Sequence, residues 1–456
     1  MNRESLDVVI VGAGAAGLAA GRLLAESGKR VGIIEARGRI GGRIHTRHAE
    51  PIAGADSVAI ELGAEFIHGL PPASWSIVLE AELATSELQG NFFCFDGRHL
   101  ESCGDRERDS FGVLQRMAAW LERRAPASDL TFESYLRSAR VESDAADRAA
   151  AYVEGFNAAD RNVISATALV RQQRAEDRVQ GERIFHIRSG YQALPSYLAD
   201  CFSRAGGSLF LDHPVRKITW TRRSVSVQGS TMKGQEFCVQ APQAIITLPL
   251  GVLQANCVTF DPMPADAARQ WQTLAMGQAN RMVLLFDRCF WSERAERLSF
   301  LLAPGELIPT WWTARPEGTP LITGWCAGAE NLSRLRQALE RVPGGLERAA
   351  LQCLANIFAI PVQNLLKWLI SAHHHDWQLD EYSRGAYSYV PAGALEAADI
   401  ISSPLENTLY FAGEHCDVED QWGTVHAALA SGLRAARQVL ERAASPPVAG
   451  GEAEKR

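Results

Sequence analysis

The chain has 456 residues, about three times the roughly 150 of a typical domain, so two domains or one large composite domain are expected. Hydrophobic residues make up 46% and charged residues 22%, which excludes wholesale disorder. The formal net charge is -7 without Lys- or Arg-rich blocks, so nucleic acid and anionic membranes are not expected partners. A small molecule is the expected ligand.

Nine cysteines are scattered singly without a C-x-x-C pair, which predicts reduced thiols and a cytoplasmic location. The apolar run at 8–20 is interrupted by three regularly spaced glycines, so it predicts strand, loop and helix rather than a signal peptide. The sequence has no stretch of about 20 uninterrupted apolar residues, so no membrane span is expected. A soluble monomer or homodimer is expected.

The first elements form a strand–helix–strand pattern, with apolar runs at 7–11 and 30–35 around an Ala- and Leu-rich helix at 18–26. Residues 105–180 carry apolar side chains at helical spacing, which predicts a helical insertion. Apolar and polar residues then alternate with a period of two, which predicts strands within 208–252. The remaining predicted elements are strands within 282–326, a helix at 330–358, an extended segment at 368–389, a strand at 409–412 and a helix at 424–441.

Gly12, Gly14 and Gly17 form a G-x-G-x-x-G pattern between the first strand and the helix. In such a loop the first glycine permits the tight turn, the second lets the backbone approach a pyrophosphate, and the third allows close helix–strand packing. Glu35 ends the second strand, where a carboxylate can accept hydrogen bonds from both ribose hydroxyls. Together these residues predict a site for an adenosine diphosphate group.

The segment 36–43, ARGRIGGR, follows Glu35 directly. Its adjacent glycines, Gly41 and Gly42, expose backbone amides, and its arginines can neutralise a buried diphosphate. A nicotinamide cofactor that must come and go has little need of such a clamp. A permanently held flavin dinucleotide is therefore favoured.

At this point the sequence resembles the flavin-containing amine oxidases, a family of monoamine oxidases, polyamine oxidases, L-amino acid oxidases and flavin-type histone lysine demethylases. The resemblance covers nearly the whole chain. Besides the glycine loop and 36–43, its motifs are ELGAEFIHG at 61–69, TLPLGVL at 247–253, VLLFDRCFW at 283–291, WQLDEYSRGAYSY at 377–389, FAGE at 411–414 and GTVH at 423–426.

The resemblance implies an α/β fold in which a Rossmann-type FAD-binding domain is interleaved with an α+β substrate-binding domain. Strand segments at the start, middle and end of the chain agree with this interleaving. The expected FAD-binding domain comprises 1–70, 191–270 and 380–445, the substrate-binding domain comprises 71–190 and 271–379, and a disordered tail follows at 446–456.

The resemblance also implies non-covalent FAD, because Ala386 stands where monoamine oxidases carry the cysteine that bonds to the flavin. Val215 is expected to reach the adenine through its backbone, and Glu414 to lie near the ribityl-phosphate part. Thr424 can cap the last helix, whose positive end would stabilise charge on the reduced flavin. The residues expected to hold the cofactor are Gly12, Gly14, Ala15, Ala16, Gly17, Glu35, Ala36, Arg37, Gly42, Arg43, Gly63, Ala64, Glu65, Val215, Trp377, Tyr382, Gly413, Glu414, Thr424 and Val425.

On the substrate side, the resemblance implies that Tyr387 forms one wall of an aromatic cage. The second wall falls at Thr424 and leaves the cage half open. His68 matches a histidine of the polyamine oxidase substrate tunnel, and Glu65 is a carboxylate that could pair with a distal ammonium. The candidate pocket walls are Phe66, Trp311, Trp312 and Trp325, with ordinary core packing as the alternative for each tryptophan.

The family usually carries a lysine that holds a water against flavin N5, in the pattern Met/Leu-Gly-x-x-x-Lys. Here 276–281 is MGQANR, so Arg281 takes that place with a permanent charge. Arg281 could hold a water or an anion, or it could pair with a substrate carboxylate. The last possibility favours an amino-acid oxidase.

The run His373-His374-His375 invites a metal interpretation. Adjacent residues of a strand point to opposite faces, so the three side chains cannot converge on one ion. No metal site is expected.

The favoured function is an FAD-dependent amine oxidase that takes a hydride equivalent from the α-carbon of a polyamine or monoamine. Oxygen then receives the electrons and becomes hydrogen peroxide. The first alternative is an L-amino acid oxidase, or a dehydrogenase or desaturase that uses another electron acceptor. The second is a non-catalytic, FAD-loaded binding protein.

Overall fold

The strand–helix–strand unit forms as predicted in the computed structural model, with strands Val8–Val11 and Val31–Ile34 flanking helix Ala15–Glu26. The structure describes residues 5–49, 57–104, 106–125, 128–313, 319–341 and 344–443. The predicted disordered tail, 446–456, lies outside the described residues.

The strands are β1 (Val8–Val11), β2 (Val31–Ile34), β3 (Thr46–His48), β4 (Ala59–Glu61), β5 (Ile67–His68), β6 (Thr85–Glu87), β7 (Asn91–Phe95), β8 (Leu100–Ser102), β9 (Ile184–Ile187), β10 (Ser208–Phe210), β11 (Val215–Thr221), β12 (Ser224–Ser230), β13 (Glu236–Ala241), β14 (Gln243–Ile246), β15 (Thr259–Asp261), β16 (Ala275–Met276), β17 (Ala279–Phe286), β18 (Leu298–Leu302), β19 (Thr310–Trp312), β20 (Leu321–Ala327), β21 (Leu369–His375), β22 (Ser388–Tyr389) and β23 (Leu409–Phe411).

The helices are α1 (Ala15–Glu26), α2 (Pro72–Glu80), α3 (Arg106–Arg124), α4 (Phe132–Ser138), α5 (Ser143–Asn157), α6 (Ala166–Arg178), α7 (Ala193–Arg204), α8 (Leu250–Gln254), α9 (Ala265–Thr273), α10 (Ala329–Leu339), α11 (Gly345–Phe358), α12 (Val362–Trp368), α13 (Ala397–Ser402) and α14 (Val425–Ala443). The predicted helical insertion is confirmed as α3 to α6, which enclose an apolar core of their own.

Five parallel strands carry the glycine loop, in the order β10-β2-β1-β14-β23. Val8 and Ile10 face α1, α7 and α14, whereas Val9 and Val11 face the opposite side. Because both faces are covered, the strand is apolar at every position. Strands from the start, middle and end of the chain meet in this sheet, as an interleaved organisation requires. The domain boundaries themselves stay a prediction.

Small residues allow α14 to lie directly on α1. A Cβ atom on Gly432 would come within 2.2 Å of the backbone oxygen of Ala16. Glycine at this position therefore permits the close approach of the two helices.

The second large sheet has seven strands, in the order β21-β17-β20-β19-β18-β7-β8. Its central strand, β17, pairs antiparallel with both β20 and β21. Helix α11 covers one face with buried apolar residues. The opposite face, together with the helical insertion, borders the cavity described below.

Three features differ from the sequence-based predictions. The single helix predicted at 330–358 is two helices, α10 and α11. Within 368–389 only β21 and β22 are strands, because the carboxylates of Asp376 and Asp380 accept backbone hydrogen bonds that turn the chain. Cys94 and Cys103 form a disulfide across the β7–β8 hairpin, so the prediction of reduced thiols is wrong for this pair.

Within the described residues, no single helix is both long enough and apolar enough to cross a membrane. Helices α11 and α12 are long and apolar enough only as a pair, and the chain bends by 117° between them.

Candidate active site

A cavity of about 1510 Å³ opens at the carboxyl ends of the parallel strands, the usual position for ligands in open α/β sheets. Its lining includes Gly12 after β1, Glu35 after β2, Thr247 after β14 and Gly413 after β23. The seven-stranded sheet and the helical insertion close the other side. One continuous space thus joins the predicted cofactor and substrate residues.

The glycine loop has the shape that a pyrophosphate requires. Gly12 adopts a φ of 107°, in the region that favours glycine. A Cβ on Gly17 would lie 2.0 Å from the Gly12 oxygen, so Gly17 lets the helix start against the loop. A Cβ on Gly14 would meet nothing within 4 Å, because Gly14 faces the cavity. The predicted division of roles among the three glycines fits this geometry.

Glu35 lies at the floor of the same end of the cavity, where it is buried. Its Oε2 accepts a hydrogen bond from the Ala13 amide at 2.8 Å, and its Oε1 accepts one from the Arg37 amide at 2.9 Å. Burial raises the pKa of the carboxyl. The two amides fix the carboxylate beside the glycine loop, where it fits a ribose.

The two cavity-lining arginines of 36–43 are paired with carboxylates. Arg43 donates to Glu414 Oε1 at 2.8 Å and to the Ala386 oxygen at 2.9 Å. Arg37 donates to Asp380 Oδ1 at 2.6 Å. Their charges are therefore largely compensated inside the protein, and their predicted ability to neutralise a diphosphate stays a prediction.

Glu414 is a buried residue of the cavity wall that bonds to several segments of the chain. Its Oε2 accepts hydrogen bonds from the Ser388 hydroxyl and, at 3.1 Å, from the Gly423 amide. Burial opposes its ionisation, but the interactions with Arg43, His415 and Ser388 together outweigh burial and hold the pKa of Glu414 below its ordinary value. The carboxylate thus ties β22 to the start of α14.

The first turn of α14 faces the cavity, as predicted. Thr424 is its N-cap, because its Oγ1 accepts a hydrogen bond from the Ala427 amide at 3.1 Å. Thr424, Val425 and His426 all line the cavity. The positive end of the helix dipole is therefore directed into this space.

With one exception, every residue predicted to hold the cofactor lines this cavity. The exception is Gly17, which packs behind the loop against Gly12. The lining residues are Gly12, Gly14, Ala15, Ala16, Glu35, Ala36, Arg37, Gly42, Arg43, Gly63, Ala64, Glu65, Val215, Trp377, Tyr382, Gly413, Glu414, Thr424 and Val425. The glycine cradle, the fixed Glu35 carboxylate and the capped helix start fit FAD.

The other end of the cavity is an aromatic chamber, formed by Phe66, His68, Phe92, Phe156, Phe300, Trp312, Trp325 and Tyr387. The rings of Trp325 and Tyr387 are nearly parallel, at 4°, with centroids 6.4 Å apart. The Tyr387 hydroxyl donates a hydrogen bond to the Phe156 backbone oxygen at 2.6 Å, which fixes the ring. Phe66 contacts both His68 and Trp312. The chamber is a rigid, mainly apolar space.

The prediction that Trp311 lines the pocket is wrong. Trp311 is fully buried in the core beneath the seven-stranded sheet and donates Nε1–H to the Ile308 oxygen at 2.9 Å. Its neighbour Trp312 points to the opposite face and lines the chamber. Core packing, the alternative for each tryptophan, applies to Trp311 only.

Glu65 and Arg281 form an ion pair with each other. Arg281 Nη2 donates to Glu65 Oε2, and Nη1 donates to the Gly63 oxygen at 2.7 Å. Trp312 Nε1 also donates to Glu65 Oε2, at 3.0 Å. Each charge therefore already has its counterion. This corrects two predictions: that Glu65 pairs with a distal ammonium, and that Arg281 pairs with a substrate carboxylate.

His426 also lines the cavity, and no role was predicted for it from the sequence. Burial, reinforced by the charge that His68 can carry, lowers the pKa of His426 to about 3. Burial also lowers the pKa of His68 to about 4. Both rings are therefore neutral at physiological pH. His426 belongs to the GTVH motif, but only the fold brings it close to His68.

The histidine run lies on β21, where side chains alternate between faces. His373 bonds to Ser371 Oγ at 2.9 Å, and His375 bonds to Asp380 Oδ2 at 2.8 Å. In the part of the chain that the structure describes, no three His, Cys, Asp or Glu side chains are arranged to hold a metal ion.

The family model for flavin containing amine oxidoreductases matches residues 15–440. The chain belongs to this family. This amine oxidoreductase is thus an FAD-dependent enzyme that acts on amine groups, and the resemblance drawn from the motifs is confirmed.

The curated relatives of this amine oxidoreductase include both demethylase homologues and polyamine oxidases. Lysine-specific histone demethylase 1 homolog 2 of Oryza sativa subsp. japonica is 27% identical, over 97% of this chain and 58% of its own length. The chain therefore spans little more than half of that relative. Polyamine oxidase 2 of Arabidopsis thaliana is 26% identical, over 97% of this chain and 90% of its own length.

Solved structures confirm the predicted fold class. Putrescine oxidase, in a structure bound to putrescine, aligns with a TM-score of 0.78 at 20% identity, over 96% of this chain and 100% of its own. Cyclohexylamine oxidase from Brevibacterium oxydans IH-35A aligns with a TM-score of 0.79 at 20% identity and the same coverage. This amine oxidoreductase thus has the α/β fold of FAD amine oxidases.

Proposed function

We propose that the protein is an FAD-dependent amine oxidase that converts a primary or secondary amine, of the monoamine or polyamine type, to an imine. This proposal rests on one observation: the dinucleotide cradle is continuous with an aromatic chamber. In that chamber His68 is neutral, and the charges of Glu65 and Arg281 compensate each other. Such a chamber favours an uncharged amine over an ammonium or a carboxylate.

The reaction balances as follows. The substrate loses a hydride from its α-carbon and a proton from nitrogen, so that R₂CH–NH₂ becomes R₂C=NH. FAD held by the glycine loop and Glu35 would supply the two-electron chemistry, taking up the hydride and returning the electrons to oxygen as hydrogen peroxide. Water then hydrolyses the imine R₂C=NH to the carbonyl compound R₂C=O and ammonia, or to the carbonyl compound and a primary amine where the substrate is a secondary amine.

The protein's own groups position the substrate and keep its amine neutral. Tyr387 and Trp325 offer fixed aromatic faces, and Phe66 packs against His68, His186 and Trp312. His68 and His426 present neutral imidazoles, which can accept a hydrogen bond from the amine without competing as cations. These contacts hold the α-carbon in one place and exclude bulk water.

The FAD is proposed to be held without a covalent bond. Ala386 lines the cavity, has no nucleophilic atom, and accepts a hydrogen bond from Arg43 at its backbone oxygen. Acid precipitation of the purified holoprotein, followed by absorbance of the supernatant, tests this directly. All of the flavin is expected in solution, and yellow colour that stays with the precipitate contradicts the proposal.

The function is tested by anaerobic mixing of the holoprotein with a panel of aryl-alkyl monoamines, diamines and polyamines, while flavin absorbance is followed. At least one amine should bleach the flavin, and admission of air should restore the colour with one hydrogen peroxide per turnover. Bleaching by no member of the panel contradicts amine oxidation. Bleaching without reoxidation in air points to a dehydrogenase with another acceptor.

The amino-acid oxidase alternative is weakened because Glu65 already neutralises Arg281. The panel should therefore include α-amino acids and the matching decarboxylated amines. We expect faster bleaching by the amine of each pair. If the amino acid is preferred and Arg281→Met abolishes that preference, the alternative is correct.

A further inference from the structure

Residues 376–385, here called the clamp segment, lie between β21 and β22 and border the nucleotide end of the cavity. The segment leaves the end of β21 in the seven-stranded sheet. Trp377 donates Nε1–H to the Leu62 oxygen at 2.8 Å, which fixes one end of the segment. At the other end, Tyr382 and Ser383 line the cavity, whose nucleotide end also carries Glu35 and Val215.

One carboxylate holds the clamp segment in place. Asp380 Oδ1 accepts hydrogen bonds from Arg37 Nη2 at 2.6 Å and from the Tyr382 amide at 3.0 Å. Asp380 Oδ2 accepts a hydrogen bond from His375 Nε2 at 2.8 Å. Asp380 therefore joins the segment after β2, the end of β21 and the clamp segment itself.

The groups that Asp380 positions are the ones that face the cavity. Arg37 also donates to Ser383 Oγ at 2.8 Å, and its guanidinium lies 5.1 Å from the centre of the Tyr382 ring. The Tyr382 hydroxyl reaches Met232 Sδ at 3.8 Å on the far side. The clamp segment thus forms a wall that extends from the floor at Arg37 to the opposite rim.

The Arg37–Asp380 pair is well shielded from water, since the two side chains are only 11% and 10% exposed. Burial opposes ionisation of Asp380, but the hydrogen bond from His375 and the charge of Arg37 outweigh it, so the pKa of Asp380 lies below its ordinary value. A charged, shielded and hydrogen-bonded pair is much stronger than a surface pair.

We propose that Asp380 is a positioning residue that holds the clamp segment closed over the adenosine end of FAD and thereby sets how slowly FAD leaves. Asp380 itself does not line the cavity, so it acts through Arg37, Tyr382 and Ser383. The inference depends on FAD as the bound cofactor and not on the identity of the amine. Its failure would leave the proposed function untouched.

The decisive measurement is the rate of FAD release from Asp380→Asn holoprotein, followed as the rise of flavin fluorescence after dilution. Loss of the charge leaves Arg37 without its counterion, and we expect release about tenfold faster than in the wild type or more. Asp380→Glu keeps the charge and should recover part of the slow release. Because the pair is shielded, Asp380→Asn should also lower the stability of the apoprotein, so release is compared under conditions in which urea unfolding shows both proteins to be folded.

The matched control is Asp376→Asn, in the same segment. Asp376 Oδ1 accepts hydrogen bonds from the Gln378 and Leu379 amides, so it shapes the turn without bonding to Arg37. FAD release from this variant should stay within about twofold of the wild-type rate. Equal acceleration by both variants would show that Asp380 only stabilises the turn, and the proposal would be wrong.

A double variant tests whether Asp380 acts on FAD release through Arg37. If Asp380 acts through Arg37, then Asp380→Asn in an Arg37→Met background should accelerate release little further. Additive effects of the two substitutions contradict the proposal. If Asp380→Asn does not fold, Arg37→Met alone must release FAD faster than the wild type, and an unchanged rate overturns the inference.

Discussion

Arg281 and Glu65 form an ion pair inside the protein, with side chains only 4% and 2% exposed. They are 216 residues apart in the chain, and the pair joins β17 of the seven-stranded sheet to the loop after β4. The arginine that replaces the usual lysine of the family is thus a compensated charge, anchored also on the Gly63 oxygen. This pair removes both a free cation and a free anion from the chamber.

Breaking this ion pair should destabilise the protein strongly. Glu65→Gln leaves the Arg281 guanidinium buried without a counterion, which should lower the free energy of unfolding by about 3 kcal/mol. The measurement is urea unfolding at neutral pH. The exposed pair of Asp266 and Arg269 provides the control, and Asp266→Asn should change the free energy by less than about 1 kcal/mol. Similar values for the two variants would contradict a strong internal pair.

Two glycines of the loop should respond differently to alanine. Gly14→Ala places a methyl group in open cavity space, so the apoprotein should keep its stability while FAD affinity falls about tenfold or more. Gly17→Ala drives a methyl group into the Gly12 oxygen, so the apoprotein itself should be destabilised by about 2 kcal/mol. Urea unfolding and flavin titration of the apoproteins test both. Loss of stability in Gly14→Ala would contradict the open geometry.

His426 should make the protein sensitive to acid. Its pKa is about 3 in the folded protein and near 6.5 when unfolded, so between these values the unfolded chain binds a proton that the folded protein does not. Stability therefore falls as pH decreases through this window, by about 1.4 kcal/mol per pH unit for this histidine.

The variant His426→Gln isolates this effect, because glutamine does not titrate. Between pH 6 and pH 4 the wild type should lose about 1.4 kcal/mol per pH unit more than the variant. The buried acids Asp417 and Glu176, whose pKa values are raised to about 6 and about 7 by burial, act in the opposite direction. They are present in both proteins and cancel in the difference. Parallel pH profiles would show that His426 is not buried in a neutral form.

The cap of α14 should contribute modestly to stability. Thr424→Ala removes the acceptor for the Ala427 amide and should lower the free energy of unfolding by about 1 kcal/mol. Thr424→Ser keeps the hydroxyl and should restore most of it. Urea unfolding of the three proteins is sufficient, and equal stability of the alanine and serine variants would rule out the cap.

The dinucleotide cradle was predictable because its groups are close in sequence and follow one strand–helix–strand unit. Gly12, Gly14, Gly17 and Glu35 need only the local geometry of that unit to take their places. The cap at Thr424 was predictable for the same reason, since it bonds three residues further on.

Other parts of the site depend on contacts that no local pattern reports. Trp311 and Trp312 are neighbours on a strand, and only the packing of the sheet decides which face is core and which is cavity. Arg281 finds Glu65 through the pairing of distant segments. Cys94 and Cys103 become partners because a hairpin brings them to a Cα–Cα distance of 5.0 Å.

The arrangement of β23 and α14 determines when during synthesis the nucleotide half can first be completed. β23 is the edge strand of the five-stranded sheet, and α14 covers α1, which stands among the earliest residues. A nascent polypeptide emerging from the ribosome therefore exposes the apolar back of α1 until residues 425–443 arrive. The start of α14 that lines the cavity is likewise absent until these residues are made.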